Sequence, residues 1–125
     1  MRIFEYLDAG AMDEITTLQA EVLRTLANPR RLEILHRLLV GPCEVRRLAE
    51  DLGVSQPNIS QHLAVLRSAG IVDAERDGRE VRYSLTDPDV MVACGLMRQV
   101  LQRRLTRLGR LSLMETAQAE WVETQ

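Results

Sequence analysis

The 125-residue chain has no lysine: all 16 of its basic residues are arginine, set against 18 acidic residues for a net charge of −2. Guanidinium groups in place of ammonium groups favour bidentate contacts with carboxylate or phosphate. The acidic balance argues mildly against nucleic acid, because phosphate neutralisation supplies most non-specific affinity, although a dimer can gather its positive charge on one face. Cysteine is scarce. Cys43 and Cys94 are the only thiols, which excludes a disulfide framework. No apolar run approaches the length that crosses a bilayer, and Met1-Arg2-Ile3-Phe4-Glu5-Tyr6 lacks a secretory apolar region, so a cytoplasmic protein without membrane attachment is expected. Repeats, low-complexity tracts and linkers are also missing. That leaves a single domain over residues 1–125, with a core at about 12–109 and a C-terminal extension at 110–125. There is no glycine-rich phosphate loop, HExxH or nucleophile elbow, and His36 and His62 stand on separate helices without a suggestive Ser or Cys spacing. The chain is therefore read as a non-enzyme.

What is present is concentrated between Glu44 and Leu85. In Val54–Gly70, Ile59, Leu63 and Leu66 recur at i, i+4 and i+7 and make one apolar stripe of a short helix. Gln56, Asn58, Ser60 and Gln61 are left to face outward. These uncharged groups suit base-edge reading: Gln and Asn pair bidentately with adenine, and Ser bonds to a base or a phosphate. Ser55, itself a candidate DNA contact, is placed as N-cap, with Pro57 in the first turn, where a missing N–H costs nothing. Upstream, Glu44–Leu52 has helical spacing in Val45, Leu48 and Leu52, and Gly53 suits a left-handed C-cap. Helix, short glycine turn and helix together predict a helix-turn-helix; an ordinary αα-hairpin in a bundle is the alternative.

Two short runs, Ile71–Arg76 and Glu80–Leu85, flank Asp77-Gly78, and Val81, Tyr83 and Leu85 alternate strictly. The pattern predicts a β-hairpin, a two-stranded wing after the second helix. Arg79 at its tip and Arg82 on its outward face are candidates for phosphate or minor-groove contact, with Asp77 and Glu80 reducing the local charge; a solvated hairpin tip is the alternative. Asp13 is placed as the cap of a first helix carrying Ile15, Leu18, Val22 and Leu26, and Asn28 as the cap of a second with Pro29 at its first position. Leu32, Ile34, Leu35, Leu38 and Leu39 are that second helix's expected core residues, and Gly41-Pro42 its stop. Asp87-Pro88 opens a long last helix whose apolar surface, including Met97, Val100, Leu101, Leu105 and Leu108, is wider than one stripe. A partner subunit would bury it, and the first and last helices are expected to form a homodimer interface, placing two reading helices about 34 Å apart on a palindrome. Packing onto its own subunit is the alternative. The expected architecture is mainly α, with about five helices and the two-stranded wing.

Three blocks in this order, Leu26-Ala27-Asn28-Pro29-Arg30-Arg31-Leu32-Glu33-Ile34-Leu35, Ser55-Gln56-Pro57-Asn58-Ile59-Ser60-Gln61-His62-Leu63, and Asp77-Gly78-Arg79 with Val81-Arg82-Tyr83-Ser84-Leu85, resemble the signature of the ArsR/SmtB family of winged-helix repressors. The resemblance implies a homodimeric bacterial transcriptional repressor on an inverted-repeat operator in double-stranded DNA, released by an inducer, often a metal or metalloid ion. The residues themselves reach only a winged helix that binds DNA. A winged-helix protein-interaction module without DNA binding is the reading from another class, supported by the acidic net charge.

The family's usual ligand sets are not reproduced. Its last-helix zinc pattern aligns with Asp87, Asp89, Val100 and Arg103, and neither valine nor arginine ligates a transition metal. Its paired-cysteine pattern aligns with Glu44 and Arg46, next to the solitary Cys43. Thiol-sensing members carry a cysteine in the second helix where this chain has His36. Cys43 and Cys94 remain candidate sensor thiols for a thiol-reactive species or a soft metal, the alternative being two small buried hydrophobes.

Overall fold

The computed structural model describes residues 9–109, with side chains from Asp13 onward. The C-terminal extension expected at 110–125 lies outside the described residues. Two compact units succeed one another, the first ending at Pro88 and the second starting at Asp89.

The first unit holds four helices and a small sheet: α1 (Ala9–Leu26), α2 (Pro29–Leu38), β1 (Cys43–Glu44), α3 (Val45–Leu52), α4 (Gln56–Ser68), β2 (Val72–Asp77) and β3 (Glu80–Leu85). Its core is filled by Ile34 and Leu35 of α2, Leu48 of α3, Ile59, Leu63 and Leu66 of α4, and Val72 of β2, all fully buried. Each such side chain contributes about 1.5–3 kcal/mol by leaving water. The helix-turn-helix is therefore locked onto α2 from behind.

Local chemistry sets the helix starts. The Asn28 carboxamide oxygen accepts from the N–H groups of Arg30 at 2.9 Å and Arg31 at 3.2 Å, with Pro29 at the first helical position. α1 begins four residues before its expected cap: Asp13 lies inside the helix, and its carbonyl accepts the Thr17 hydroxyl at 2.9 Å. α2 ends at Leu38, which leaves Leu39 exposed at 48% where the spacing predicts core. The helical period cannot continue past a chain that turns toward Gly41-Pro42.

The sheet departs most from expectation. β2 and β3 pair antiparallel from Val72↔Leu85 to Asp77↔Glu80, so the two turn residues are Gly78 and Arg79 rather than Asp77 and Gly78. Gly78 supplies the positive φ of 65° that a two-residue hairpin loop needs at its first position. The expected two-stranded wing is present as β2 and β3, and the short β1 adds a third strand to give the order β1-β3-β2. Cys43↔Tyr83 and Glu44↔Arg82 are in register, so Glu44 is strand and helix cap rather than the first residue of α3. The reason is edge pairing: β3 would otherwise present unsatisfied N–H and C=O groups, and the extended chain after Pro42 passes alongside and satisfies them.

The second unit contributes α5 (Asp89–Arg107), which opens after Pro88 rather than at Asp87. Val92, Leu96, Met97, Val100 and Leu101 are exposed along its length, and Leu108 just past its end. Among the described residues no helix is long and apolar enough to cross a membrane.

Candidate nucleic-acid interface

The turn between α3 and α4 is built by backbone hydrogen bonds. Gly53 adopts φ 68°, ψ 35°; its N–H donates to Glu50 at 3.3 Å, and the Val54 N–H donates to Ala49 at 3.1 Å. This pair of bonds is the Schellman arrangement, which a β-carbon at Gly53 would strain. The chain then reverses into α4, where the Ser55 hydroxyl oxygen accepts the Asn58 N–H at 3.3 Å.

On α4 the contrast between faces is sharp. Ile59, Leu63 and Leu66 have no accessible surface, whereas Gln56, Asn58, Ser60 and Gln61 are all exposed. At 100° per residue, Gln61 lies opposite the buried stripe, Gln56 and Ser60 flank it on one side, and Asn58 flanks it on the other. These four side chains make no hydrogen bonds to the rest of the chain among the described residues, so their donors and acceptors are available to a ligand. Ser55 is already engaged as a cap through one lone pair of its oxygen, which leaves its O–H proton and a second lone pair. Val65, which the sequence reading did not single out, is also exposed on this helix.

The wing arginines differ from each other. Arg79 is exposed at the turn, with no ion pair among the described residues. Arg82 forms an ion pair with Asp77 at 2.9 Å and lies 3.6 Å from Glu44. Its charge is therefore held across the sheet face. Beside it, Arg46 bridges Glu50 at 3.2 Å and Glu80 at 3.7 Å. The neighbouring Glu44 and Glu80 carboxyls titrate as a pair: Glu80, with Arg82, holds the Glu44 carboxyl below the usual carboxylate range, and Glu44 raises that of Glu80. Arg37, Arg46, Arg47 and Arg82 line a shallow cavity of about 260 Å³ with Pro42, Cys43 and Glu44. Each of these arginines faces a carboxylate partner.

Cys43 is buried at one side of that cavity, and its thiol donates weakly to the Glu44 carbonyl at 3.7 Å. Burial raises the thiol pKa, and the nearby Arg37 charge offsets this only in part. Cys94, on α5, is half-buried. The two candidate sensor thiols belong to different units.

Behind α4 lies a contact the sequence reading missed. The Arg31 Nε–H donates to His62 Nδ1 at 3.3 Å, and another N–H of the same guanidinium donates to the Thr25 carbonyl at 3.0 Å. His62 is held below its ordinary pKa, first by desolvation and then by the Arg31 and Arg30 charges. The available signal was Arg31 in the first turn of α2, where, unlike Arg30 with Glu33 at 2.8 Å, it has no acidic neighbour one turn on.

Comparison with known proteins accords with this arrangement. Residues 28–74 match the family described as bacterial regulatory protein, arsR family. The HTH-type transcriptional regulator Rv0081 of Mycobacterium tuberculosis is 40% identical over 103 residues, covering 82% of this chain and 89% of that protein. Its crystal structure superposes with a TM-score of 0.67 over 74% of this chain and 94% of that one. The HTH-type transcriptional repressor SmtB of M. tuberculosis is 46% identical over 74 residues, 59% of this chain and 55% of that protein. The homodimeric winged helix-turn-helix domain of Mb0332 from Mycobacterium bovis is 29% identical with a TM-score of 0.71, covering 82% of this chain and 94% of that domain. With an exposed reading helix, a capped turn and a β-wing in the order of that family, this chain belongs to the ArsR family of winged-helix transcriptional regulators.

Proposed function

We propose that the protein is a dimeric, cytoplasmic, sequence-specific repressor that binds an inverted-repeat operator in double-stranded DNA and leaves it when an inducer acts. The observation that carries this reading is the face of α4. Four neutral hydrogen-bonding side chains, Gln56, Asn58, Ser60 and Gln61, are exposed on a helix whose other side is fully buried. A rigid helix with free amide and hydroxyl groups can enter a major groove and distinguish bases without indiscriminate charge attraction. Arg79 adds a phosphate or minor-groove contact at the wing tip. Dimerisation is supported by the exposed apolar residues of α1, Ile15, Leu18 and Leu23, and of α5, Leu96, Val100 and Leu101. The homodimeric state of the Mb0332 domain supports it too. Repression is supported by the repressor SmtB among the relatives.

For the inducer, the residues favour thiol chemistry over a family-type metal site. Val100 and Arg103 cannot ligate, while two thiols are present. Cys94 is the more accessible of the two, and the raised pKa of buried Cys43 makes it the slower nucleophile.

The test is anisotropy binding of the reduced, purified protein to labelled duplex from upstream of its own gene. It is run across a salt series and then with zinc, arsenite, a polysulfide or an oxidant added. Tight binding that falls steeply with salt, prefers one palindrome and is relieved by a thiol-reactive species is expected. Absence of binding at low salt would move the reading to a protein-interaction module.

A further inference from the structure

The Arg31–His62 contact joins three elements at one guanidinium. Arg31 stands in the first turn of α2. One of its N–H groups caps α1 by donating to Thr25 O, one residue before that helix ends, and its Nε–H reaches His62 in the middle of α4. A cation at a helix C-terminus is favourable in itself, since it satisfies a carbonyl without an intrahelical partner. The bond to His62 has a stricter requirement. Nδ1 accepts only while it carries a lone pair, so the imidazole must be neutral with its proton on Nε2. Adding a proton to Nδ1 sets N–H against N–H, with two guanidinium charges nearby.

We propose that Arg31 and His62 form a proton-dependent coupling that holds the DNA-reading helix α4 to the α1–α2 corner, and that proton uptake by His62 releases it. The proposal rests on the reading of α4 as the DNA contact, but the contact and its titration do not require DNA. The charges that act on the imidazole are those of Arg31 and Arg30, both on α2; Glu21 and Arg24 of α1, which line a groove with Arg31 and the later turns of α4, are not among them, nor is any carboxylate of α3 or β2 among the described residues. Nothing there stabilises an imidazolium. The sign follows directly. Because the folded protein holds His62 below its ordinary pKa, the contact is intact above pH 6.5 and is lost as the pH falls through the folded value. His62 thus acts as a positioning residue. Were it simply a phosphate contact, acid would have the opposite effect, since a newly charged imidazole would tighten DNA binding.

Two measurements test this on the full chain. Long-range proton–nitrogen NMR of the imidazoles, titrated from pH 8 to pH 5, should show His62 as the Nε2–H tautomer. Its titration should shift upward in Arg31→Gln while that of His36 stays in place; an unchanged His62 titration in that variant overturns the contact. Anisotropy with the upstream duplex at constant ionic strength should then show wild-type affinity falling several-fold between pH 7.5 and pH 5.5. His62→Asn offers an acceptor near the Nδ1 position but cannot be protonated, so it should bind with little pH dependence. Affinity that rises in acid, or an equal pH slope in wild type and His62→Asn, overturns the coupling. Failure of every variant to bind duplex at any pH would instead sink the DNA reading, and the NMR titration would still decide the contact.

Discussion

α4 and the wing are both read as approaching DNA, yet they treat polar groups in opposite ways. On the first turns of α4 the outward Gln56, Asn58, Ser60 and Gln61 are neutral and make no side-chain hydrogen bonds among the described residues, while the helix beneath them is immobilised by Ile59, Leu63 and Leu66. On the sheet the polar groups are charged and mutually engaged: Arg82 with Asp77 and Glu44, Arg46 with Glu50 and Glu80. Arg76 on β2 and Arg79 at the turn resemble the α4 residues in being exposed without an ion pair among the described residues. Specificity and charge are thus separated in space. An unpaired neutral amide discriminates between bases, whereas an arginine already facing a carboxylate has little left for a phosphate.

The largest effect expected is on the support of α4. Leu63→Ala should destabilise the fold by about 2–5 kcal/mol in chemical denaturation, through lost burial and the cavity left behind. A near-neutral result would mean that the stripe is less tightly packed than it looks. Next comes the reading face. Gln61→Ala should cost about 1–3 kcal/mol of operator affinity and relax the preference for one palindrome, while Arg79→Ala should weaken all duplexes alike and lower the salt slope by about 1. If Gln61→Ala binds as tightly and selectively as wild type, the reading face is misassigned. Ser55→Ala should cost about 1 kcal/mol of stability by removing the hydroxyl that accepts the Asn58 N–H, read as a lower midpoint of thermal unfolding. The smallest effect tests the wing. Asp77→Asn frees the 2.9 Å partner of Arg82 and should raise non-specific DNA affinity by less than about 1 kcal/mol. If this change leaves affinity and salt slope untouched, the ion pair is not what restrains Arg82.

Elements with a local period and a local cap were legible before any coordinates. Asn28-Pro29, Ser55 with Pro57, and Gly53 mark helix ends through side-chain and φ preferences that need no distant partner, and each occupies its expected place. The buried stripe of α4 was legible for the same reason. Legibility failed where a second segment decides. Glu44 has helical spacing with its followers, but the edge of β3, some 40 residues later, draws it into a strand. Leu39 continues the apolar period of α2, yet the chain turns away before it can be buried.

The candidate site divides in the same way. The identities of Gln56, Asn58, Ser60 and Gln61 and their outward direction follow from the sequence alone, because a 3.6-residue period with one apolar stripe leaves no other face for them. So does the family, carried by three blocks in order. Tertiary structure alone decided that Arg82 is held by Asp77 and Glu44 while Arg79 is not, that Cys43 is buried with its thiol pKa raised, and that Arg31 meets His62 across 31 positions of chain. Local periodicity records which way a side chain points. Which group it then meets, and so which charges are spent inside the molecule, depends on contacts that only the folded chain brings together.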